Sequence, residues 1–259
     1  MRCIKYPSSV PAHAGSTVNR QPSTVIRSRT CGINRQPMNA ASYEYYSSNI
    51  ASHPSGLVRS FAYFFSILFH PMLICAYTFA FLIYLHPSAF EGVDPHTRNL
   101  RMISIILFTV FFPAVSLFIA WRLKLVKRLS LENRQDRLVG FIVTMFFYFW
   151  ASYVFRNLPD TPPVAAHFIL GTFLAVCGAW MCTIFYKVSL HAVAVGGLIS
   201  FSILFVSQDP YASGLYLTIP ILIAGITCTS RLILGAHSRF EIVSGFVVGL
   251  LSQCIAWLI

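Results

Sequence analysis

The chain has 259 residues, of which 56% are apolar and only 10% charged, and its formal net charge of +11 comes from 19 Lys and Arg against 8 Asp and Glu. A soluble domain of this length carries roughly 25% charged residues, so the composition excludes an ordinary water-soluble protein and points to a bilayer as solvent. The 7 cysteines are odd in number and include no Cys-x-x-Cys pair, which gives a disulfide framework or a zinc site no support; they are read as small hydrophobes.

Residues 1–56 differ from everything after them. They are rich in Ser, Asn, Pro and Arg, repeat "NRQP" at 19–22 and 34–37, and carry Arg2, Lys5, Arg20, Arg27, Arg29 and Arg35 against one acid, Glu44. Such a segment buries too little apolar surface to offset its ordering entropy and is expected to be a disordered basic arm. A start at Met38 is the alternative reading, in which the arm is not translated. The arm has no apolar run of the secretory kind, and its charge suits anionic lipid headgroups.

Seven apolar segments follow, at 57–85, 101–121, 138–155, 163–186, 188–207, 214–230 and 241–259. Backbone polar groups must be satisfied internally in hydrocarbon, so these are predicted helices rather than open strands. Short connections join them into one all-α transmembrane bundle, residues 57–259, of six to seven membrane helices. Successive connections alternate sides. One side receives "RLKLVKRLSLENRQDR" (122–137), "KVSLH" (187–191) and "SRLILGAHSRFE" (230–241); the other receives "HPSAFEGVDPHTRN", "RNLPDTPP" and "SQDPYAS".

The first side therefore collects two histidines, His191 and His237, a carboxylate, Glu241, a hydroxyl, Ser189, and the cations Lys127, Arg134, Arg137, Lys187 and Arg231. Cations around a site with no metal motif want an anion, and the planar guanidinium fork suits phosphate oxygens. One imidazole can attack phosphorus while the other protonates the leaving oxygen. Glu241 stands four residues after His237, on the same helical face if the seventh helix begins near Ala236, where it can hold the imidazole tautomer. His70, His86, His96 and His167 are read as packing residues, and Lys187 as a helix-end cation outside the core set. There is no GxGxxG, Walker loop or HExxH to support nucleotide-driven or zincin chemistry.

"SRLILGAHSRFEIVSGFVVG" resembles the third signature of the type 2 phosphatidic acid phosphatase superfamily, Ser-Arg-x5-His-x3-Asp before a Gly-rich apolar helix. "KVSLHAVAVGG" resembles its second, Pro-Ser-Gly-His, and "KRLSLENR" (127–134) its first, Lys-x6-Arg; "FHPMLICAY" is similar to the opening of bacterial members. The similarity covers roughly residues 100–259. It implies an integral-membrane phosphatase for lipid phosphates, with His237 as nucleophile oriented by Glu241 and His191 as acid for the leaving group. Arg231, Lys127, Arg134 or Arg137, and Ser189 with its neighbouring N–H groups would hold the phosphate. No metal or other cofactor is needed. Expected partners are a lipid phosphate and bilayer lipids, with no nucleic acid and no oligomeric state implied.

The chain departs from the pattern in Glu241 for Asp, Val188 for Pro, Leu190 for Gly, and Gln135 for the Pro that follows the first signature's Arg. Two rival readings follow: a family member that binds anionic lipids without turnover, and a transporter or haem-binding bundle. The Lys and Arg count would place the site-bearing loops in the cytoplasm. The family works on the outer face, and because several of these cations are proposed ligands, the expectation here is a bacterial inner membrane with an extracytoplasmic site.

Overall fold

The computed structural model describes residues 55–86, 89–127, 133–209 and 213–259; residues 1–54 of the expected disordered arm, with the Met38 alternative, lie outside the described residues, while Ser55 caps and Gly56 opens the first helix, two residues inside the expected arm. Helix α1 is Gly56–Leu68. Helix α2, Pro71–Ala80, runs on into a π-helical turn, Phe81–Leu85. Helix α3, Pro95–Ile106, passes through a second π-helical turn, Leu107–Phe111, into α4, Phe112–Arg122. Then come α5 (Arg134–Asn157), α6 (Pro163–Phe185), α7 (Leu190–Gln208), α8 (Leu215–Ile233) and α9 (Arg239–Leu258).

Among the described residues six helices, with Pro95–Arg122 taken as one, are long and apolar enough to cross a membrane, and α1 with α2 brings the number to as many as seven. Large apolar side chains cover the outer surface: Phe146 and Leu222 are each 62% exposed and Val243 61%. Water penalises that arrangement and hydrocarbon does not. The chain is an all-α integral membrane protein.

The 57–85 run, predicted as one helix, is broken. α1 and α2 meet at a bend of 58° across Phe69 and His70. Pro71 has no N–H and pushes the preceding residue out of the helical region, and His70 takes φ −63° and ψ 139°. The second span starts at 95 rather than 101 because the Asp94 carboxylate accepts the Thr97 N–H at 2.8 Å and its hydroxyl at 2.7 Å, capping a helix that opens on Pro95. Within that span, Pro113 cannot bond the Thr109 carbonyl four residues back, and the Tyr148 hydroxyl donates to it instead at 3.3 Å.

Small residues set the close contacts. α9 packs most extensively against α7 and then α6. A β-carbon at Gly249 would run into the Val193 carbonyl and lie 2.7 Å from the Gly197 nitrogen; one at Gly245 would lie 2.8 Å from the Ser189 carbonyl oxygen. The two helices therefore touch backbone to backbone. That contact locks the start of α7, where His191 sits, against the start of α9, where Glu241 sits. The Ser189 N–H donates to the Glu241 carbonyl at 3.2 Å, across the same junction.

Candidate active site

The turn from α8 to α9 is built by two local motifs. Gly235, at φ +63°, ends α8: its N–H reaches the Leu232 carbonyl at 3.0 Å and the Ala236 N–H reaches the Arg231 carbonyl at 3.2 Å. That is a Schellman ending, which needs a left-handed residue where glycine carries no steric cost. Ser238 opens α9 with a capping box, its hydroxyl accepting the Glu241 N–H at 3.3 Å while the Glu241 carboxylate accepts the Ser238 N–H at 3.4 Å. The box favours Glu over the shorter Asp at this position, a physical reason for the departure from the resembled signature.

The same carboxylate oxygen, Oε2 of Glu241, lies 2.8 Å from Nδ1 of His237. A carboxylate only accepts, so Nδ1 carries the hydrogen and Nε2 keeps its lone pair. Burial pushes the His237 pKa below its ordinary 6.5; the Glu241 hydrogen bond works against that push, and the charges of Lys187 and Arg231 add to it. The 2.8 Å contact is thus a hydrogen bond from a neutral imidazole. Lys187 is held there by its ammonium, which donates to the Ala236 carbonyl at 2.8 Å. It belongs to the cluster, contrary to its reading as a helix-end cation.

A second anchor joins the cluster to the broken first helix. Ser66, buried in the last turn of α1, accepts the Arg231 guanidinium on its hydroxyl at 2.7 Å. Its carbonyl accepts Nε2–H of His191 at 2.9 Å, and its hydroxyl lies 3.4 Å from the same nitrogen. A carbonyl cannot donate, so His191 carries its hydrogen on Nε2. Four residues on, at the break, the His70 ring stands edge-on to His191 with centroids 5.6 Å apart. Thus Arg231 and His191, far apart in sequence, share one serine, and Arg231 also acts electrostatically on His237.

The remaining predicted residues divide. Arg137 is half-buried and within Coulombic reach of Glu241. Arg134 is exposed, and its guanidinium donates to the Ile184 carbonyl near the end of α6. Of the two candidates left open by sequence, Arg137 is the one within Coulombic reach of Glu241. Ser189 is fully buried, its hydroxyl 3.5 Å from the Ala192 N–H as a helix cap and its own N–H engaged by Glu241. Lys127 is exposed; its backbone N–H donates to Asp136 Oδ1 at 3.2 Å, and no contact among the described residues ties its ammonium to either histidine. Buried Nε atoms of Arg137 and Arg231 have no hydrogen-bond partner among the described residues.

Ser66, His70 and Lys187 were not in the set read from sequence. Ser66 and His70 are four apart just before Pro71, and that spacing was the available signal. The other histidines do sit away from the cluster: His86 pairs with Asp209 at 2.5 Å at the far ends of α2 and α7, and His167 packs on Trp257. Buried donors are normally satisfied, so two arginines with unpartnered Nε atoms, Arg231 acting electrostatically on His237 and Arg137 on Glu241, suit an anion. No protein-family model matches the chain, and no curated protein or solved structure matches it.

Proposed function

We propose that the chain is an integral-membrane phosphatase, a divergent member of the type 2 phosphatidic acid phosphatase superfamily. It hydrolyses a lipid phosphate or diphosphate without a metal. The observation that carries this reading is the His237–Glu241 pair at 2.8 Å, flanked by Lys187, Arg231 and Arg137. A neutral imidazole with its lone pair on Nε2, beside cations able to neutralise phosphate oxygens, is equipped for attack on phosphorus.

In the proposed reaction the Nε2 lone pair of His237 forms the N–P bond as the P–O bond to the lipid breaks. Glu241 stabilises the positive charge that develops on the ring. The leaving oxygen takes a proton from His191 in its imidazolium form, the form that the bound phosphate charge favours; the Nε2–H that is on the Ser66 carbonyl in the structure turns to the lipid oxygen, and the ring is left neutral. Water then attacks the phosphohistidine, neutral His191 takes its proton back, and phosphate leaves. The substrate enters from the bilayer, and we place the site on the extracytoplasmic face of a bacterial inner membrane.

The test is phosphate release by purified protein from phosphatidic acid and from a polyprenyl diphosphate, with and without EDTA, together with trapping of an acid-labile phosphoenzyme. EDTA-resistant release with trapped phosphohistidine supports the proposal; absence of both overturns it. The engaged state of Ser189 and the exposure of Lys127 favour the rival reading, lipid-phosphate binding without turnover, and binding with no trapped intermediate is its signature.

Two expectations belong here. Because the His237 pKa lies below 6.5, the nucleophilic form is present at neutral pH, and the acid limb of kcat/KM falls below pH 6.5. The stability sign agrees: the unfolded chain binds more protons between the lowered and the ordinary value, so stability falls as pH drops through that window. A pH–rate profile and thermal melts at matched pH check both. Separately, Ser66→Ala removes the hydroxyl that anchors Arg231, and kcat/KM is expected to fall by roughly ten- to a hundredfold, since a hydrogen bond to a charged group contributes about 1.5–3 kcal/mol. Steady-state kinetics with Ser66→Thr as the rescuing variant check it.

A further inference from the structure

We infer that an apolar cavity beneath the site holds one hydrocarbon chain of the lipid whose phosphate the site binds; this rests on the function proposed above. The cavity has a volume of about 230 Å³ and lies among α2, α7 and α8. Its walls include Phe69, Ile74, Leu198, Phe205 and Ile223. Four of its lining residues carry hydroxyls, Tyr77, Thr78, Ser202 and Tyr216, and of these Thr78 and Ser202 donate to their own helices, at 2.9 Å to the Ile74 carbonyl and 2.8 Å to the Leu198 carbonyl. The other lining residues are apolar, which suits hydrocarbon better than water, and a gap of this size is foreign to a close-packed interior.

Helix periodicity ties the cavity to the site. On α2 the positions His70, Ile74, Tyr77 and Phe81 follow the spacing i, i+4, i+7, i+11, which puts them on one face. On α7 the same spacing gives His191, Val195, Leu198 and Ser202. On α8, read backwards from the site, it gives Arg231, Thr227, Ala224 and Pro220. Each stripe starts at a polar group of the site and ends on a residue that lines the cavity. Eleven residues of helix span about 16 Å, so the cavity lies within the hydrocarbon depth under the phosphate position.

Two helix irregularities flank the gap, the 58° bend at Phe69–His70 and Pro220 inside α8. Between the site and the cavity, Ile74, Val195 and Ala224 form a buried cluster, with Phe69 packed against it. The chain therefore enters from the side, past Tyr77 (44% exposed) and Ile219 (52% exposed), which line the cavity and face the bilayer. A single linear acyl or polyprenyl chain fits this geometry.

The experiment uses the full protein in nanodiscs and a lysophosphatidic acid carrying a diazirine at mid-chain. Labelling is expected on α2, α7 or α8 residues lining the cavity, competed by unlabelled alkyl phosphate and not by the neutral monoacylglycerol. Competition by octadecyl phosphate against farnesyl phosphate distinguishes acyl from isoprenoid chains. Labelling confined to the outer faces, or competed equally by the neutral lipid, overturns the inference. In parallel, Ser202→Phe and Ile223→Phe fill the cavity. Each is expected to raise KM for hexadecyl phosphate by roughly tenfold, the effect of denying burial to two or so methylene groups, with kcat and p-nitrophenyl phosphate hydrolysis unchanged. Unchanged KM in both variants, or equal loss on both substrates, counts against it. Labelling needs no turnover, so a His237→Ala protein that labels normally separates this inference from the catalytic one.

Discussion

Replacing His237 by alanine is expected to abolish phosphoenzyme trapping and lower turnover by about four orders of magnitude, the scale seen when a member of a nucleophile–base unit is lost. The residue is well suited to the test. Its side chain has one described hydrogen bond, to Glu241, while the capping box of Ser238 and Glu241 holds the start of α9 without it. Folding should survive, which circular dichroism and a thermal melt would verify. Activity unaffected by the substitution ends the catalytic proposal. Glu241→Gln gives the finer reading, because glutamine keeps the cap but loses the charge that supports a cationic imidazole. A fall of roughly two to four orders of magnitude with an unchanged melting temperature is expected.

The largest expected effect on stability is at Gly249. In Gly249→Val a β-carbon meets the Val193 carbonyl and lies 2.8 Å from its carbon and 2.7 Å from the Gly197 nitrogen. All three are backbone atoms and cannot rotate aside. The α7–α9 contact must open, at a cost at or above the upper end of the about 1–3 kcal/mol typical of overpacking. Opening it also separates Ser189 from Glu241, and hence His191 from His237, so activity is expected to fall with stability. Gly225→Ala is the control: nothing lies within 4 Å of its added carbon, and alanine has the better helix propensity. Denaturation in detergent, followed by tryptophan fluorescence, would show Gly249→Val unfolding early and Gly225→Ala no earlier than the parent chain.

The sequence by itself determined the solvent and the sidedness. Long uncharged runs leave the backbone no option but helices in hydrocarbon, and the parity of the connections sends 122–137, 187–191 and 230–241 to one face. It also pointed to the contact of His237 with Glu241, but not to its geometry: α9 begins at Arg239, so His237 lies before the helix, and the capping box at Ser238 turns the carboxylate back toward the imidazole. The tertiary structure alone decided the rest. Ser66 and Arg231 are 165 residues apart, and no local periodicity encodes their 2.7 Å bond. Pro71 was visible in the chain, but that the break would carry Ser66 and His70 to His191 depended on how α1 and α2 pack. The choice of Arg137 over Arg134 depended on which one the packing brings within Coulombic reach of Glu241. Spacing along one helix is fixed by covalent geometry. Distances between helices are fixed by packing, and here the packing turns on backbone contacts at Gly245 and Gly249.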